Sequence, residues 1–151
     1  MRAVFDCMVF VQALSNTTGT GANCFRAVEN GRVTLLVSNG TLLELEDLLH
    51  REGLRGSVIL CSDATVRAYL DRIVEVAGKV NSVPLVWSLP GDLKDEKYLN
   101  LAIAGGAEFI VTRDNHLLRL MTATDANAVA FRVAYPRIEI LLPEQFLARL
   151  P

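Results

Sequence analysis

Short apolar runs alternate along the chain with longer segments whose apolar residues recur at three- and four-residue spacing. Runs rich in β-branched and aromatic residues are typical of buried strands, whereas the longer spacing is typical of amphipathic helices. Strands that alternate with helices favour a parallel sheet, because a parallel connection needs a crossover that a helix supplies. The sequence therefore predicts an α/β fold in which helices cover both faces of a central, mainly parallel sheet.

The same pattern predicts the approximate bounds of the main elements. Strands are predicted at residues 3–5, 33–37, 85–87, 109–112 and 138–141. Helices are predicted at residues 42–49, 64–77, 94–104 and 143–150. Polar loops are predicted at residues 16–21 and 122–127, and residues 81–91 contain two prolines together with the short apolar run of the third strand. The first of these loops lies after the first strand, where α/β proteins often build binding sites.

The chain of 151 residues is expected to fold as one domain, residues 1–151. Its composition, with 51% hydrophobic and 21% charged residues, excludes a disordered tail and a long coiled coil. The formal net charge of −2 gives no general attraction to a phosphate backbone. Any binding of nucleic acid must therefore depend on a local basic patch or on bound cations.

The three cysteines, Cys7, Cys24 and Cys61, are scattered and form no CxxC pair. An odd number without metal-ligand spacing indicates neither a zinc site nor a secreted disulfide framework. No apolar run approaches the roughly 18 residues that a membrane-spanning helix needs. We therefore expect a soluble, cytoplasmic protein with no membrane association.

Four acidic residues are candidates to face one cavity at an edge of the sheet. Asp6 directly follows the first predicted strand, and Asp114 follows the fourth, with only Arg113 between. The carboxyl ends of parallel strands border the crevice in which α/β proteins usually bind ligands. The other two acids come from helices: Glu44 follows the second strand, and Asp95 precedes the fourth.

Asp95 carries the argument for a metal ion. It precedes Leu99 by four residues, so its carboxylate starts on a buried helical stripe that contains no lysine or arginine. A desolvated carboxylate is costly without a counter-charge, and oxygen ligands favour Mg²⁺ or Mn²⁺ over Zn²⁺. Taken singly, the acids have simpler interpretations: Asp95 and Asp114 as helix caps, Asp6 as a turn former and Glu44 as a solvated helix residue.

An ordered set of motifs extends over nearly the whole chain. It consists of Val4-Phe5-Asp6, Ser38 with Leu43-Glu44-Leu45, Asp92-Leu93-Lys94-Asp95, Leu101-Ala102-Ile103-Ala104-Gly105-Gly106-Ala107, Ile110-Val111-Thr112-Arg113-Asp114-Asn115-His116-Leu117-Leu118 and Pro143-Glu144-Gln145-Phe146-Leu147. Each motif is weak alone, but their order resembles that of a PIN domain. More narrowly, the chain resembles the bacterial, VapC-like PIN proteins assigned as toxins of toxin–antitoxin systems.

This resemblance implies a Rossmann-like, three-layer αβα sandwich that hydrolyses RNA phosphodiester bonds with Mg²⁺ or Mn²⁺. The acids of the family fall on Asp6, Glu44, Asp95 and Asp114. We expect Asp6, Asp95 and Asp114 to hold the metal, and Glu44 to complete the coordination shell of the metal or to position a water. Thr112 matches a small hydroxyl position that orients a carboxylate or a water, and Asp92 is a further acid of this subgroup.

Basic residues next to these acids are candidates for phosphate contacts. Arg113 adjoins Asp114, and Lys94 and Lys97 flank the helix start that contains Asp95. The alternative for each is a role in surface solubility. A lone histidine near a helix start is more often a surface or packing residue, so no catalytic role is predicted for His116.

The resemblance also implies partners and leaves one alternative open. Members of the family commonly form homodimers, and Leu43, which points away from the core side of its helix, is a modest sign of such a contact. A toxin would further have a cognate antitoxin. The family's usual Asp-Thr-Asn start is Asp6-Cys7-Met8 here, and Met8 cannot form the hydrogen bonds of an amide. The alternative is therefore a catalytically degenerate PIN-like module that binds RNA or a protein partner.

Overall fold

The computed structural model describes residues 1–51, 54 and 62–151. The strands in this part of the chain are β1 (Arg2–Phe5), β2 (Thr34–Val37), β3 (Gly78–Lys79), β4 (Phe109–Val111) and β5 (Glu139–Leu141). The helices are α1 (Cys7–Ser15), α2 (Thr20–Glu29), α3 (Asn39–His50), α4 (Asp63–Val76), α5 (Glu96–Gly105), α6 (Asn115–Thr122), α7 (Ala126–Ala134) and α8 (Pro143–Arg149). Cys61 lies outside the described residues.

The strands form one parallel sheet in the order β3-β2-β1-β4-β5. The central strand β1 pairs through Ala3 with Leu35 on one side and with Phe109 on the other. The chain therefore builds the sheet outward from β1 in one direction and then in the other. A crevice forms at such a reversal, and the residues that follow β1 and β4 border it.

Alternate residues of β1, β2, β4 and β5 pack into two separate cores. In β1, Ala3 and Phe5 belong to a core with residues of α1, α2, α3, α4 and α8, whereas Val4 belongs to a core with residues of α5, α6 and α7. This division follows from the period of two along a strand, which sends neighbouring side chains to opposite faces. The predicted three-layer αβα sandwich is confirmed.

The strand predicted at residues 85–87 is wrong. This segment is irregular, and Leu85 and Val86 are 72% and 51% exposed. The buried Asn100 of α5 replaces a neighbouring strand: its Oδ1 accepts the N–H groups of Val86 and Trp87, each at 2.8 Å, and its Nδ2 donates to the Trp87 carbonyl. The edge strand next to β2 is instead the two-residue β3 (Gly78–Lys79), which has no apolar run that could have indicated it.

The other elements differ from the predicted pattern near the start of the chain and between β4 and β5. The remaining four strands and all four predicted helices are present within about two or three residues of the expected bounds. Four helices were not predicted, namely α1, α2, α6 and α7, and α1 begins directly after Asp6, so the predicted loop at residues 16–21 is confined to residues 16–19. Within the described residues, no helix has the length and apolar character needed to cross a bilayer.

Candidate active site

Asp6 lies at the carboxyl end of β1 and is only 5% exposed. Its Oδ1 accepts the N–H of Val9 at 3.0 Å and thereby caps α1. Its Oδ2 accepts hydrogen bonds from the hydroxyl of Thr112 and from the N–H of Arg113, the latter at 3.3 Å. Burial raises the pKa of Asp6, while these hydrogen bonds act in the opposite direction. The carboxylate is therefore fixed in orientation at the strand end.

Thr112 links the two acids that follow neighbouring strands. Its fully buried hydroxyl donates to Asp6 and accepts the N–H of Asp114 at 2.8 Å. Asp114 in turn accepts the N–H of His116 at 2.6 Å and caps α6. The simple capping interpretation therefore holds for Asp114, and Asp6 also acts as a cap. A capping role does not exclude that the same carboxylate also binds a metal, because an ionised carboxylate offers about four acceptor sites.

Asp95 behaves differently from these two caps. It stands at the N-terminal boundary of α5, but its side chain makes no capping hydrogen bond. Its Oδ2 is buried and has no hydrogen-bond partner within the described part of the chain. Burial, followed by the charge of Asp114, raises the pKa of Asp95 to about 7. Buried polar atoms are nearly always paired, so this oxygen fits a cation better than it fits a helix cap.

Three of the four predicted acids line a common cleft of about 240 Å³, which Cys7, Met8, Gln12, Tyr98 and Arg113 also line. These acids are Asp6, Asp95 and Asp114, the set predicted to hold the metal. A set of hard carboxylate oxygens, one of them buried without a partner, suits a divalent cation such as Mg²⁺ or Mn²⁺. Their role as ligands stays a prediction.

Glu44 lies beside this cleft and is held by residues of α5. The hydroxyl of Tyr98 donates to Glu44 Oε2, and Lys97 Nζ lies 3.2 Å from the same oxygen. The oxygen of the Tyr98 hydroxyl also accepts the N–H of Cys7 at 3.2 Å. Tyr98 therefore connects Glu44 to the residue that follows Asp6. The sequence did not indicate this contact, because a tyrosine at that helical spacing is typical of a core residue.

Asp92 and His116 form a second acidic group that shares Asp114 with the cleft. One potential ligand atom from each of Asp92, Asp114 and His116 lies within 4.8 Å of the other two. His116 Nδ1 is 2.8 Å from Asp92 Oδ2, and this hydrogen bond lowers the pKa of Asp92 and raises that of His116. The prediction therefore missed His116, which lies against the predicted acids instead of apart from them.

The basic residues near the cleft are mostly occupied by acids of the same chain. Arg113 forms an ion pair with Glu144 and donates from Nε to Gln12 Oε1 at 3.0 Å, and Lys97 is paired with Glu44. The predicted phosphate contacts of Arg113 and Lys97 would thus compete with these pairs. For Lys94, no ion pair is present among the described residues.

Met8 and Cys7 supply the least polar part of the cleft. Met8 is 40% exposed and lies where the family usually has an amide side chain. Cys7 is half-buried, and burial raises the pKa of its thiol to about 11. A thiol with that pKa is almost entirely protonated near neutral pH, so Cys7 is not a nucleophile in this setting.

A family model of the PIN domain matches residues 2–116, a range that contains all four predicted acids and Thr112. The chain belongs to the PIN domain family. No curated protein matches it significantly. Among solved structures, it is similar to a chain of VapBC2 from Rickettsia felis bound to a DNA fragment from their promoter, with a TM-score of 0.56 and 13% identity over 94% of this chain and 98% of that one.

The family match bears on the activity of the protein, whereas the likeness to the solved structure bears on its fold. The family match assigns the chain to a group whose members are generally metal-dependent nucleases. The likeness to the solved structure, at 13% identity, shows the fold alone, and it agrees with the αβα layers of this PIN domain.

Proposed function

We propose that this PIN domain is an endoribonuclease that hydrolyses RNA phosphodiester bonds with Mg²⁺ or Mn²⁺. The observation that carries the proposal is the buried Oδ2 of Asp95, which has no hydrogen-bond partner among the described residues and belongs to a cleft that Asp6 and Asp114 also line. Three carboxylates in one small cleft repel one another and repel RNA, unless a dication offsets their charge. Metal loading would therefore convert an anion-repelling cleft into one that accepts a phosphate.

Each side chain of the cleft has a proposed task. Asp6, Asp95 and Asp114 would hold the cation, which supplies charge neutralisation at the phosphate and a water of lowered pKa when bound. Thr112 fixes the Asp6 carboxylate by its hydroxyl and thereby sets the direction in which the remaining lone pairs point. Glu44 would orient the attacking water or complete the metal shell.

Two further side chains have supporting tasks at the edge of the cleft. Asp92 would keep the imidazole of His116 in place beside Asp114, because Asp92 Oδ2 lies 2.8 Å from His116 Nδ1. Arg113 would contribute its backbone N–H to Asp6, as it does in the structure. Its guanidinium, which pairs with Glu144, would contact a phosphate only by exchanging that partner.

Titration calorimetry with Mn²⁺ and Mg²⁺, alongside an RNA cleavage assay, tests the proposal. We expect binding at submillimolar to millimolar metal, cleavage that chelator abolishes, and loss of both in Asp6→Asn and Asp95→Asn. The matched control is Asp71→Asn, which removes an exposed carboxylate of α4 outside the cleft. Cleavage at the wild-type rate by both cleft variants would refute the assignment of these acids.

The second candidate is a PIN-like module that binds RNA or a protein without cutting RNA. Met8 favours it, because this exposed thioether occupies the cleft where an amide could support the acids. Calorimetry separates the two candidates, since a module without a metal centre gives no heat with either cation. Met8→Asn is the complementary variant: under the enzyme proposal it increases or preserves cleavage, and it never creates cleavage in a protein that binds no metal.

The proposed biological setting is that of a toxin with a cognate antitoxin, acting in the cytoplasm. The fold shared with a chain of VapBC2 and the family match support the toxin role, and the free thiols Cys7 and Cys24 suit a reducing compartment. A homodimer is proposed from Leu43, which is 63% exposed on α3. Size-exclusion chromatography with light scattering of wild type and Leu43→Glu tests the dimer, which the charged variant should weaken.

A further inference from the structure

A second cavity, of about 370 Å³, lies next to the acidic cleft between α6, the start of α7 and residues 89–91. His116 belongs to its lining and also contacts Asp92 at 2.8 Å, so the cavity and the acidic groups are contiguous. Arg119 lies one helical turn further along α6, on the same face as His116 and Leu120. The cavity therefore adjoins the acidic group of Asp92, Asp114 and His116.

The ion pairs around the two cavities distinguish Arg119 from Arg113 and Lys97. Arg113 and Lys97 are paired with carboxylates of the chain, whereas Arg119 is exposed and has no acidic partner among the described residues. An unpaired guanidinium offers several N–H donors to a phosphate, and no existing ion pair must break first. Arg119 is thus the best-placed free arginine for a phosphate that adjoins the acidic cleft.

The rest of the lining suits a nucleoside better than a second phosphate. Leu89 and Leu120 are almost fully buried and form an apolar wall, and Asn127 contributes an amide. The carboxylate of Asp125, which caps α7 through the N–H of Ala128, would repel a phosphate but accepts hydrogen bonds from a ribose hydroxyl or a base amino group. The cavity thus combines one free cation, an apolar wall and uncharged or anionic acceptors.

We propose that this cavity binds one nucleotide of the RNA, next to the phosphodiester at the acidic cleft, with Arg119 contacting the phosphate of that nucleotide. The inference rests on the proposed function for the order of the two sites along the RNA, but binding of a nucleotide at Arg119 does not require cleavage. α6 is a firm support for the contact, because Arg132 of α7 donates to the Leu120 and Ala123 carbonyls at 2.6 and 2.9 Å.

Binding of 5′-AMP, which contains no phosphodiester to cut, tests the inference in buffer with Mg²⁺. We expect Arg119→Gln to weaken 5′-AMP binding by about tenfold and to leave adenosine binding unchanged, because only the phosphate contact is lost. Amide chemical-shift changes should centre on α6 and the start of α7. Arg67→Gln, which removes an exposed arginine of α4, is the matched control and should behave as wild type.

The same variants in the RNA cleavage assay separate this inference from the proposed function. For Arg119→Gln we expect a higher KM with kcat nearly unchanged, and a salt dependence of log KM reduced by about 0.7, the value for one phosphate contact on a single strand. Equal affinity of wild type and Arg119→Gln for 5′-AMP overturns the nucleotide site, even if the protein cuts RNA. Loss of 5′-AMP binding in Arg119→Gln supports the site, even if no RNA is cut.

Discussion

Replacement of Asp95 by asparagine should stabilise the metal-free protein at alkaline pH. The pKa of Asp95 is about 7 in the folded protein and ordinarily 3.8. The folded state therefore binds the proton more tightly than the unfolded state, so stability falls as the pH rises from about 4 to about 7. Above pH 7 the full cost of the buried charge is present, and an isosteric amide removes it.

The size of the effect follows from the same pKa values. The difference between about 7 and 3.8 corresponds to about 4 kcal/mol at about 1.4 kcal/mol per tenfold change in proton affinity. Asp95 is only half-buried, and solvent screening reduces this to an expected gain on the order of 2 kcal/mol. For a chain of this length, 2 kcal/mol raises Tm by about 4–8 °C.

Thermal unfolding of wild type and Asp95→Asn in chelator, at pH 4.5 and pH 8, measures this gain. The Tm difference should be large at pH 8 and several-fold smaller at pH 4.5, and Asp71→Asn should show no such dependence. Added Mn²⁺ should raise the Tm of wild type and leave that of Asp95→Asn unchanged, since binding to the folded state alone stabilises it. A variant equally or less stable than wild type at pH 8 would show that the Asp95 charge is not destabilising, and the case for a cation at this position would fail.

Three further substitutions test how the neighbouring polar contacts support the cleft. Tyr98→Phe removes only the hydroxyl that bonds Glu44 and the Cys7 N–H, so it should lower kcat by about tenfold. The control Tyr69→Phe removes a partly buried hydroxyl bonded to the Phe10 carbonyl, and it should destabilise the protein by about 1 kcal/mol without changing kcat. Equal loss of kcat in both would contradict the role of Tyr98. Thr112→Val keeps the shape of a fully buried residue but removes the hydroxyl that donates to Asp6 Oδ2, which then keeps only the N–H of Arg113. Calorimetry should show Mn²⁺ affinity lowered about tenfold or more. Asn100→Leu removes the amide that bonds the backbone groups of residues 86–87. Urea unfolding should show that the free energy of unfolding falls by about 2–3 kcal/mol. An unchanged free energy of unfolding would mean that water replaces these hydrogen bonds.

The sequence predicted those parts of the fold that depend on local hydrophobic pattern. Strands β1, β2, β4 and β5 and helices α3, α4, α5 and α8 were recognisable because their apolar residues face a core and repeat with the period of the element. The segment 85–87 has the same apolar character, yet tertiary contacts with Asn100 determine its conformation. No local pattern shows that one buried amide will bond three backbone groups of residues that lie 13 and 14 positions away.

The candidate site likewise has a part that the sequence predicts and a part that it does not. Acids at strand ends were predictable, since the topology of a parallel sheet alone brings the residues after β1 and β4 together. The contacts of Tyr98 and His116 were not, because each depends on how one helix packs against a neighbouring segment: Tyr98 reaches Glu44 across α3 and α5, and His116 reaches Asp92 from α6. The separation of paired and unpaired arginines also required coordinates.

These contacts divide the four predicted acids into two electrostatic classes. Glu44 has a cation, Lys97, and a phenolic donor, Tyr98, so its charge is largely compensated within the protein. Asp6 and Asp114 accept hydrogen bonds from backbone or hydroxyl donors, whereas the buried Oδ2 of Asp95 has no donor among the described residues. Within the same part of the chain, none of the three forms an ion pair with a lysine or arginine, and their mutual repulsion contributes to the raised pKa of Asp95. A dication would therefore be drawn to these three carboxylates first. Glu44 would then not be occupied by the cation, and at the edge of the cleft it could accept a hydrogen bond from a water and orient it.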